Sequence, residues 1–186
     1  MSGLHAALAT RHSIGHLQRL LHFTLRPFLP EDLPALVKHA NDPGIAAFMA
    51  DAFAHPFTEE AGRLFLNEAI MKNPPLRRCI EVDSECIGAI GLHAKPDLWR
   101  RNMELGYWLG KEHHGKGIMT EAIRQMVQLG FETFPEVTRI YASPFGRNIP
   151  SQKVLEKAGF VLEAKFIGTL VKNGQVEDEL IYALRR

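Results

Sequence analysis

Gly115, Lys116 and Gly117 stand between a stretch of strand-like alternation and a stretch of helical apolar spacing, and a turn so placed binds anions. The first amides of a helix lack intrahelical acceptors, and the helix dipole adds partial positive charge at the same end. Phosphate is a common occupant of such a terminus. Residues 104–122 read Glu-Leu-Gly-Tyr-Trp-Leu-Gly-Lys-Glu-His-His-Gly-Lys-Gly-Ile-Met-Thr-Glu-Ala. The amides of Gly115, Lys116, Gly117, Ile118 and Met119 then point out of the helix start, and a phosphate-bearing cofactor is the expected ligand. A Walker A loop is excluded, because Gly, four residues, then Gly-Lys-Ser/Thr occurs nowhere in the chain. The three-glycine spacing of a dinucleotide fingerprint is missing as well.

Two further side chains could do chemistry. Along a strand Glu104, Gly106 and Trp108 share one face. Gly106 leaves room beside the carboxylate, and Trp108 could dry it and raise its pKa, which suits a base. The plainer alternative is a solvated or salt-bridged strand glutamate. Ser151 falls in the first turn of a later helix, where its hydroxyl could donate to a leaving group or bond to local backbone. No metal is expected. The side chains of His113 and His114 diverge, and His12 and His16, four apart, have no further ligand nearby. Cys79 and Cys86 are too few for a disulfide framework or zinc cluster and read as two reduced, packed thiols in a cytoplasmic protein.

The elements that must position these groups follow from periodicity and punctuation. A first, edge-like strand is expected over residues 21–28, a helix over 30–39 with Pro and acids in its first turn, and a helical turn over 45–49. Thr58 caps the next helix, with Ala61, Leu64, Phe65 and Ala69 as its apolar stripe, ended by Asn73-Pro74-Pro75. Strands follow over 77–82, 86–93 and 102–109. A tight hairpin around Asp83-Ser84 sets Cys79 opposite Gly88. Ile118, Met119, Ala122, Ile123, Met126, Val127 and Gly130 form one face of a helix against a sheet. A strand over 138–143, a helix over 148–158 stopped by Gly159, and a hairpin of strands 160–166 and 177–184 around Lys172-Asn173-Gly174 complete the chain. The fold class is α/β (α+β): one domain with a mixed, mostly antiparallel central sheet of about six to seven strands flanked by helices on both faces.

The 186 residues suit one such domain with a real core. A formal charge of +1 shows no basic excess, and no basic–aromatic stripe calls for nucleic acid. No apolar run approaches the roughly 18 residues of a membrane span. Residues 1–20 contain arginines and histidines but no acid, the first being Glu31. They read as an N-terminal extension before a domain over 21–186, with a transit peptide as the other reading.

With these motifs in place, the chain resembles the GCN5-related N-acetyltransferase (GNAT) superfamily, and within it the group of the RimJ/RimL ribosomal-protein N-terminal acetyltransferases. The resemblance covers residues 21–184 in element order. It rests on residues 104–122 and on Asn148-Ile-Pro-Ser-Gln-Lys-Val-Leu-Glu-Lys-Ala-Gly-Phe160. The family's pyrophosphate signature is Gln or Arg, two residues, Gly, one residue, then Gly or Ala. Its positions match His114, Gly117 and Met119, so only the central glycine fits the strict form, and Met119 puts bulk where backbone approaches phosphate. Thr120-Glu121-Ala122 is typical of the RimJ/RimL-like group.

The resemblance implies transfer of an acetyl group from acetyl-CoA to a primary amine by direct attack in a ternary complex. His114, Gly115, Lys116, Gly117, Ile118, Met119 and Thr120 would surround the pyrophosphate. Trp108 and Leu109 would pair their backbone with the pantetheine arm, and Asn148 would contact it. An amide near Leu109 would hold the oxyanion. Glu104 would be the base, directly or through a water, and Ser151 the acid, because Leu155 occupies the position where the family often has tyrosine. The expected acceptor is a protein N-terminal α-amine or a small-molecule amine; an acidic groove of Asp42, Asp51, Glu59 and Glu60 would instead favour polyamines or aminoglycosides. Phe53, Phe57 and Trp99 fall near the loops the family uses for acceptors. No nucleic acid, membrane or metal is expected, and a homodimer is left open. Two other readings stand beside this one: a non-catalytic acyl-CoA-binding or sensing module, and a transferase for a longer acyl group.

Overall fold

The structure, a computed structural model, describes residues 22–186 apart from 73 and 75. The expected extension over 1–20, the His12/His16 pair and part of the Asn-Pro-Pro helix stop lie outside the described residues. Strands β1 (Thr24–Arg26), β2 (Arg77–Val82), β3 (Glu85–Ala94), β4 (Asn102–Leu109), β5 (Arg139–Ala142), β6 (Val161–Lys172) and β7 (Gln175–Arg185) form one seven-stranded sheet in the order β1-β2-β3-β4-β5-β7-β6. Every neighbouring pair is antiparallel except β4 and β5. Helices α1 (Leu33–Ala40), α2 (Pro43–Ala46), α3 (Glu59–Met71), α4 (Ile118–Thr133) and α5 (Ile149–Lys157) complete the fold. This is the mostly antiparallel sheet flanked by helices that the sequence implies.

Local chemistry explains the boundaries. β1 has only three residues, because Pro27 follows and cannot donate to a ladder. Residues 30–32 form a 3₁₀ turn before α1, and Asp32 there receives Arg26 through two bonds of 2.7 and 2.8 Å and the Leu29 amide at 2.8 Å. Arg26 also pairs with Glu81, so one guanidinium ties β1, this turn and β2 together. Asp42 caps α2 through the Gly44 and Ile45 amides, which moves the expected turn at 45–49 to Pro43–Ala46. Thr58 caps α3 through the Ala61 amide at 3.2 Å, as its sequence position suggests. The apolar stripe of α3 is rotated from the expected one: Gly62, Leu66 and Ala69 are buried, whereas Leu64 is 67% exposed.

The β2–β3 turn is made by Asp83 and Ser84, both at positive φ (48° and 65°), the geometry of a primed hairpin. An irregularity between Ile80 and Glu81 shifts the register, so Cys79 faces Ala89 and Ile80 faces Gly88. The expected Cys79–Gly88 pair is therefore one residue out, because a bulge inserts an unpaired residue that turn counting cannot see. β6 and β7 run further than expected, to a turn at Asn173-Gly174, and a second register shift between Phe166 and Leu170 accommodates the extra length.

Two cores lie on opposite faces of the sheet. One joins α4 and α5 to Met103, Leu105 and Leu109 of β4; the seven residues expected on the buried face of α4 are the seven found there. The other joins α1 and α3 to Cys79, Cys86, Ala89 and Trp108. Alternation along β4 therefore sends its odd-numbered residues to the first core and its even-numbered ones to the second. Among the described residues no helix is long and apolar enough to cross a membrane.

The closeness of β3 and β4 gives a test. A Cβ on Gly88 would lie 2.6 Å from the carbonyl oxygen of Trp108, a backbone atom that cannot move without moving its strand. Gly88→Ala is expected to destabilise the protein by about 1–3 kcal/mol. Urea unfolding would show this as a lower midpoint at unchanged slope.

Candidate active site

The parallel pairing of β4 with β5 is short. It runs from Asn102↔Arg139 to Glu104↔Tyr141 and stops. β4 continues to Leu109 along β3, while β5 turns away to pair with β7 and ends at Ala142. Among the described residues, 105–109 thus have β3 on one edge and no strand on the other. Helices α4 and α5 start at the two sides of this opening, one after β4 and one after β5.

The glycine turn lies beside it. Gly115 and Gly117 take positive φ of 73° and 81°, which a side chain would strain, and Gly117 is the N-cap of α4. Among the described residues no side chain caps this helix, which leaves its leading amides for an anion. Ile118 and Met119 are buried in the core beneath α4. The bulk of Met119 therefore goes inward, away from the turn, which is how methionine is tolerated where glycine or alanine was expected. His114 sets a ring nitrogen 2.8 Å from the Leu109 carbonyl oxygen and so braces the turn against the end of β4. Buried His39 of α1 supports the same loop, with ring nitrogens 2.9 Å from Glu85 and 3.5 Å from Glu112.

On the facing side Asn148 is the N-cap of α5, and its carbonyl oxygen accepts the Ser151 amide at 3.2 Å. Its side-chain amide nitrogen is left free of that cap. The Ser151 hydroxyl lies 2.7 Å from the Tyr107 hydroxyl. This bond crosses the opening from α5 to β4. Burial pushes the Tyr107 phenol up to about 12, with the Ser151 hydrogen bond acting the other way, so it keeps its proton near neutrality. Tyr107 is a residue that sequence reasoning passed over. Its signal was a hydroxyl within the otherwise apolar 103–105–109 face. The family's tyrosine position holds Leu155, which is fully buried in the core.

Glu104 lies on the other face of β4, paired with Lys95. Lys95 also sits 5.7 Å from the centre of the Tyr141 ring. Trp108 shares that face but is buried in the core under α1 and α3, with Phe53 at 6.3 Å and Phe57 5.4 Å beyond it. Trp99 is 61% exposed. Of the four acids considered for a cationic groove, Asp42 caps α2, Asp51 pairs with Lys172 at 2.8 Å and Glu59 with Arg63 at 3.2 Å. Asp32, Cys79 and Cys86 bring their ligand atoms within 4.8 Å of one another, but the Arg26 guanidinium already occupies both Asp32 oxygens. The Cys79 thiol is pushed up by Cys86 and by burial, so it stays protonated. Surface hollows of about 280 Å³ at Asp32, Lys38 and Glu85 and about 410 Å³ at Leu25, Arg78 and Met126 contain none of the glycine turn, Glu104 or Ser151.

The family comparison agrees with this geometry. The acetyltransferase (GNAT) domain matches residues 22–161. The Bacillus subtilis (strain 168) protein named Probable N-acetyltransferase YjcK is 44% identical over 102 residues, 55% of this chain and 56% of that protein. The Ribosomal-protein-serine acetyltransferase of Escherichia coli (strain K12) is 28% identical over 101 residues, 54% of this chain and 55% of that protein. The chain thus spans about half the length of these curated relatives. The crystal structure of the Ribosomal-protein-S5-alanine acetyltransferase of Vibrio fischeri overlays with a TM-score of 0.70 at 26% identity, over 88% of this chain and 93% of that one.

The Tyr107–Ser151 pair makes a prediction independent of activity. The Tyr107 ¹³Cζ resonance, assigned with Tyr107→Phe, is expected to stay constant through pH 10, the ordinary tyrosine value. Ser151→Ala removes a bond that favours the phenolate and should move the titration further up. A step at or below pH 10 would contradict the burial.

Proposed function

Because the chain belongs to the GNAT acetyltransferase family, we propose that it moves an acetyl group from acetyl-CoA to a primary amine by direct attack in a ternary complex. The observation that carries this is the conjunction at the opening. The uncapped, glycine-led start of α4 adjoins the unpaired edge of β4, and the Tyr107–Ser151 bond crosses between the two sides. A pyrophosphate suits the amides of residues 115–120, with Lys116 adding charge and His114 holding the turn. The pantetheine arm suits the free edge at Trp108 and Leu109, as an added strand would. The free amide nitrogen of Asn148 supplies a donor to that arm, and an amide near Leu109 supplies one to the oxyanion.

Attack forms the carbon–nitrogen bond, and collapse breaks the carbon–sulfur bond. Ser151 donates a hydrogen bond to the departing thiolate while accepting one from Tyr107. A thiol titrates near 8.5, well below Tyr107, so Tyr107 strengthens this hydrogen bond without surrendering its proton. Glu104, paired with Lys95, draws in the acceptor's ammonium and assists its deprotonation, directly or through a water.

The acceptor that fits best is a protein N-terminal α-amine. Such an amine titrates near 8 and a lysine near 10.4, so exposing a lysine nucleophile at neutral pH costs about 3 kcal/mol more. Three of the four acids that could have formed a polycation groove are engaged with caps or ion pairs. The related proteins named for serine and alanine acceptors on ribosomal proteins support the same class. Buried free thiols at Cys79 and Cys86 suit a reducing, cytoplasmic setting.

The test is thiol release from acetyl-CoA against peptides with N-terminal serine or alanine, free amino acids, polyamines and aminoglycosides, beside calorimetric titration of CoA. Release with the peptides is expected, falling about 10²-fold in Glu104→Gln. Ser151→Ala should slow turnover by about tenfold without abolishing it, since a thiolate is a tolerable leaving group. Gly117→Ala should weaken CoA binding, because alanine resists the left-handed φ there. CoA binding without release on any amine would favour the sensing module, and no CoA binding would remove the proposal.

A further inference from the structure

On the α1/α3 side of the sheet, β3 and β4 set three cross-strand pairs in a row: Ala89↔Trp108, Gly91↔Gly106 and His93↔Glu104. The glycine pair makes a gap between the indole at one end and the His93–Glu104 pair at the other. Over Gly91 the gap is filled, since a Cβ there would lie 3.0 Å from Arg77 Cγ. Over Gly106 it is open, and a Cβ there would meet only the His93 Nε2 atom, at 3.8 Å. The space beside Gly106 is thus bordered by an imidazole nitrogen that faces into it.

Glu104 and His93 differ in their partners. The Glu104 carboxylate is paired with Lys95. The His93 ring has no hydrogen-bond or ion-pair partner among the described residues. On the acetyl-transfer reading above, we propose that His93 is the general base, its ring nitrogen taking the proton from the acceptor amine while Glu104 orients that amine and balances the resulting imidazolium. Nitrogen joins the carbonyl carbon and becomes acidic as it does so, its proton passes to His93, the carbon–sulfur bond breaks, and CoA leaves as thiolate held by Ser151. His93 then returns its proton to water.

The surroundings keep the ring neutral and ready. Burial is the largest influence and holds His93 below its ordinary 6.5, with Arg77 of β2, Lys72 at the end of α3 and Lys95 beyond β3 acting in the same direction. Glu104 of β4 opposes them. A base lowered in this way is fully available at neutral pH and is lost as pH falls through that lowered value.

The test follows kcat/KM from about pH 5 to 9, with the peptide that the wild-type protein turns over. Beyond the fall below about pH 8 that the acceptor's own α-amine imposes, the wild type should show a second, steeper acidic limb below 6.5. His93→Gln should lower kcat/KM by about 10²-fold and erase that limb, while its CoA affinity by calorimetry stays within about twofold of wild type. Added imidazole should restore part of the rate to His93→Gly, a readout that a merely structural role would not move. A His93→Gln protein that retains rate and limb overturns the proposal, and loss of the limb in Glu104→Gln alone would assign the base to Glu104. Wild-type protein that binds CoA and acetylates no amine would remove the acetyl-transfer reading itself, a result separable from the others because CoA binding is measured apart.

Discussion

The structure depends on a pairing that stops. Parallel β4 and β5 share a ladder only from Asn102↔Arg139 to Glu104↔Tyr141. Three contacts of Arg139 hold the closed end. Arg139 reaches Asn102 at 3.0 Å and Glu163 of β6 at 2.8 and 2.9 Å, and its guanidinium lies 4.6 Å from the centre of the Tyr141 ring. Past that clamp the two strands answer to different neighbours, β4 to β3 and β5 to β7. A parallel pair also needs a long crossover, and α4 supplies it. The helix start and the strand edge therefore appear at the same place for one reason: the chain leaves β4 where the ladder has already opened.

Alternation then divides the labour of β4. Tyr107 points to the α4/α5 side and meets Ser151, whereas Glu104 and Gly106 point to the α1/α3 side, where His93 and Lys95 stand. Groups suited to a leaving thiolate and groups suited to an incoming amine are thus separated by the sheet itself. Only where β4 and β5 part can one substrate meet both sets. Tyr107 packs against the α4/α5 core, and the neighbouring Trp108, on the Glu104 face, lies in the α1/α3 core.

What could be read along the chain was what repeats locally. The buried face of α4 was legible residue by residue, because seven apolar side chains recur at helical spacing and meet one flat sheet. The glycine turn, the Thr58 cap and the Asp83-Ser84 hairpin were legible because each satisfies its backbone within a few residues. The burial of α3 was misjudged by rotation, Leu66 being chosen over Leu64, since both fit an amphipathic helix and only the packing partner selects the face. Cys79 moved one place because a bulge leaves no local mark.

The sequence by itself determined the element order, the glycine turn and the family resemblance, since these rest on short-range spacing and backbone satisfaction. Tertiary structure alone decided which side chains became partners. Tyr107 and Ser151 are 44 residues apart, and His93 lies opposite Glu104 only once β3 and β4 are in register. It also decided that Lys95 takes Glu104. Contacts of this kind are set by packing and register, whose free energy comes from residues remote along the chain, and a linear pattern carries no trace of them.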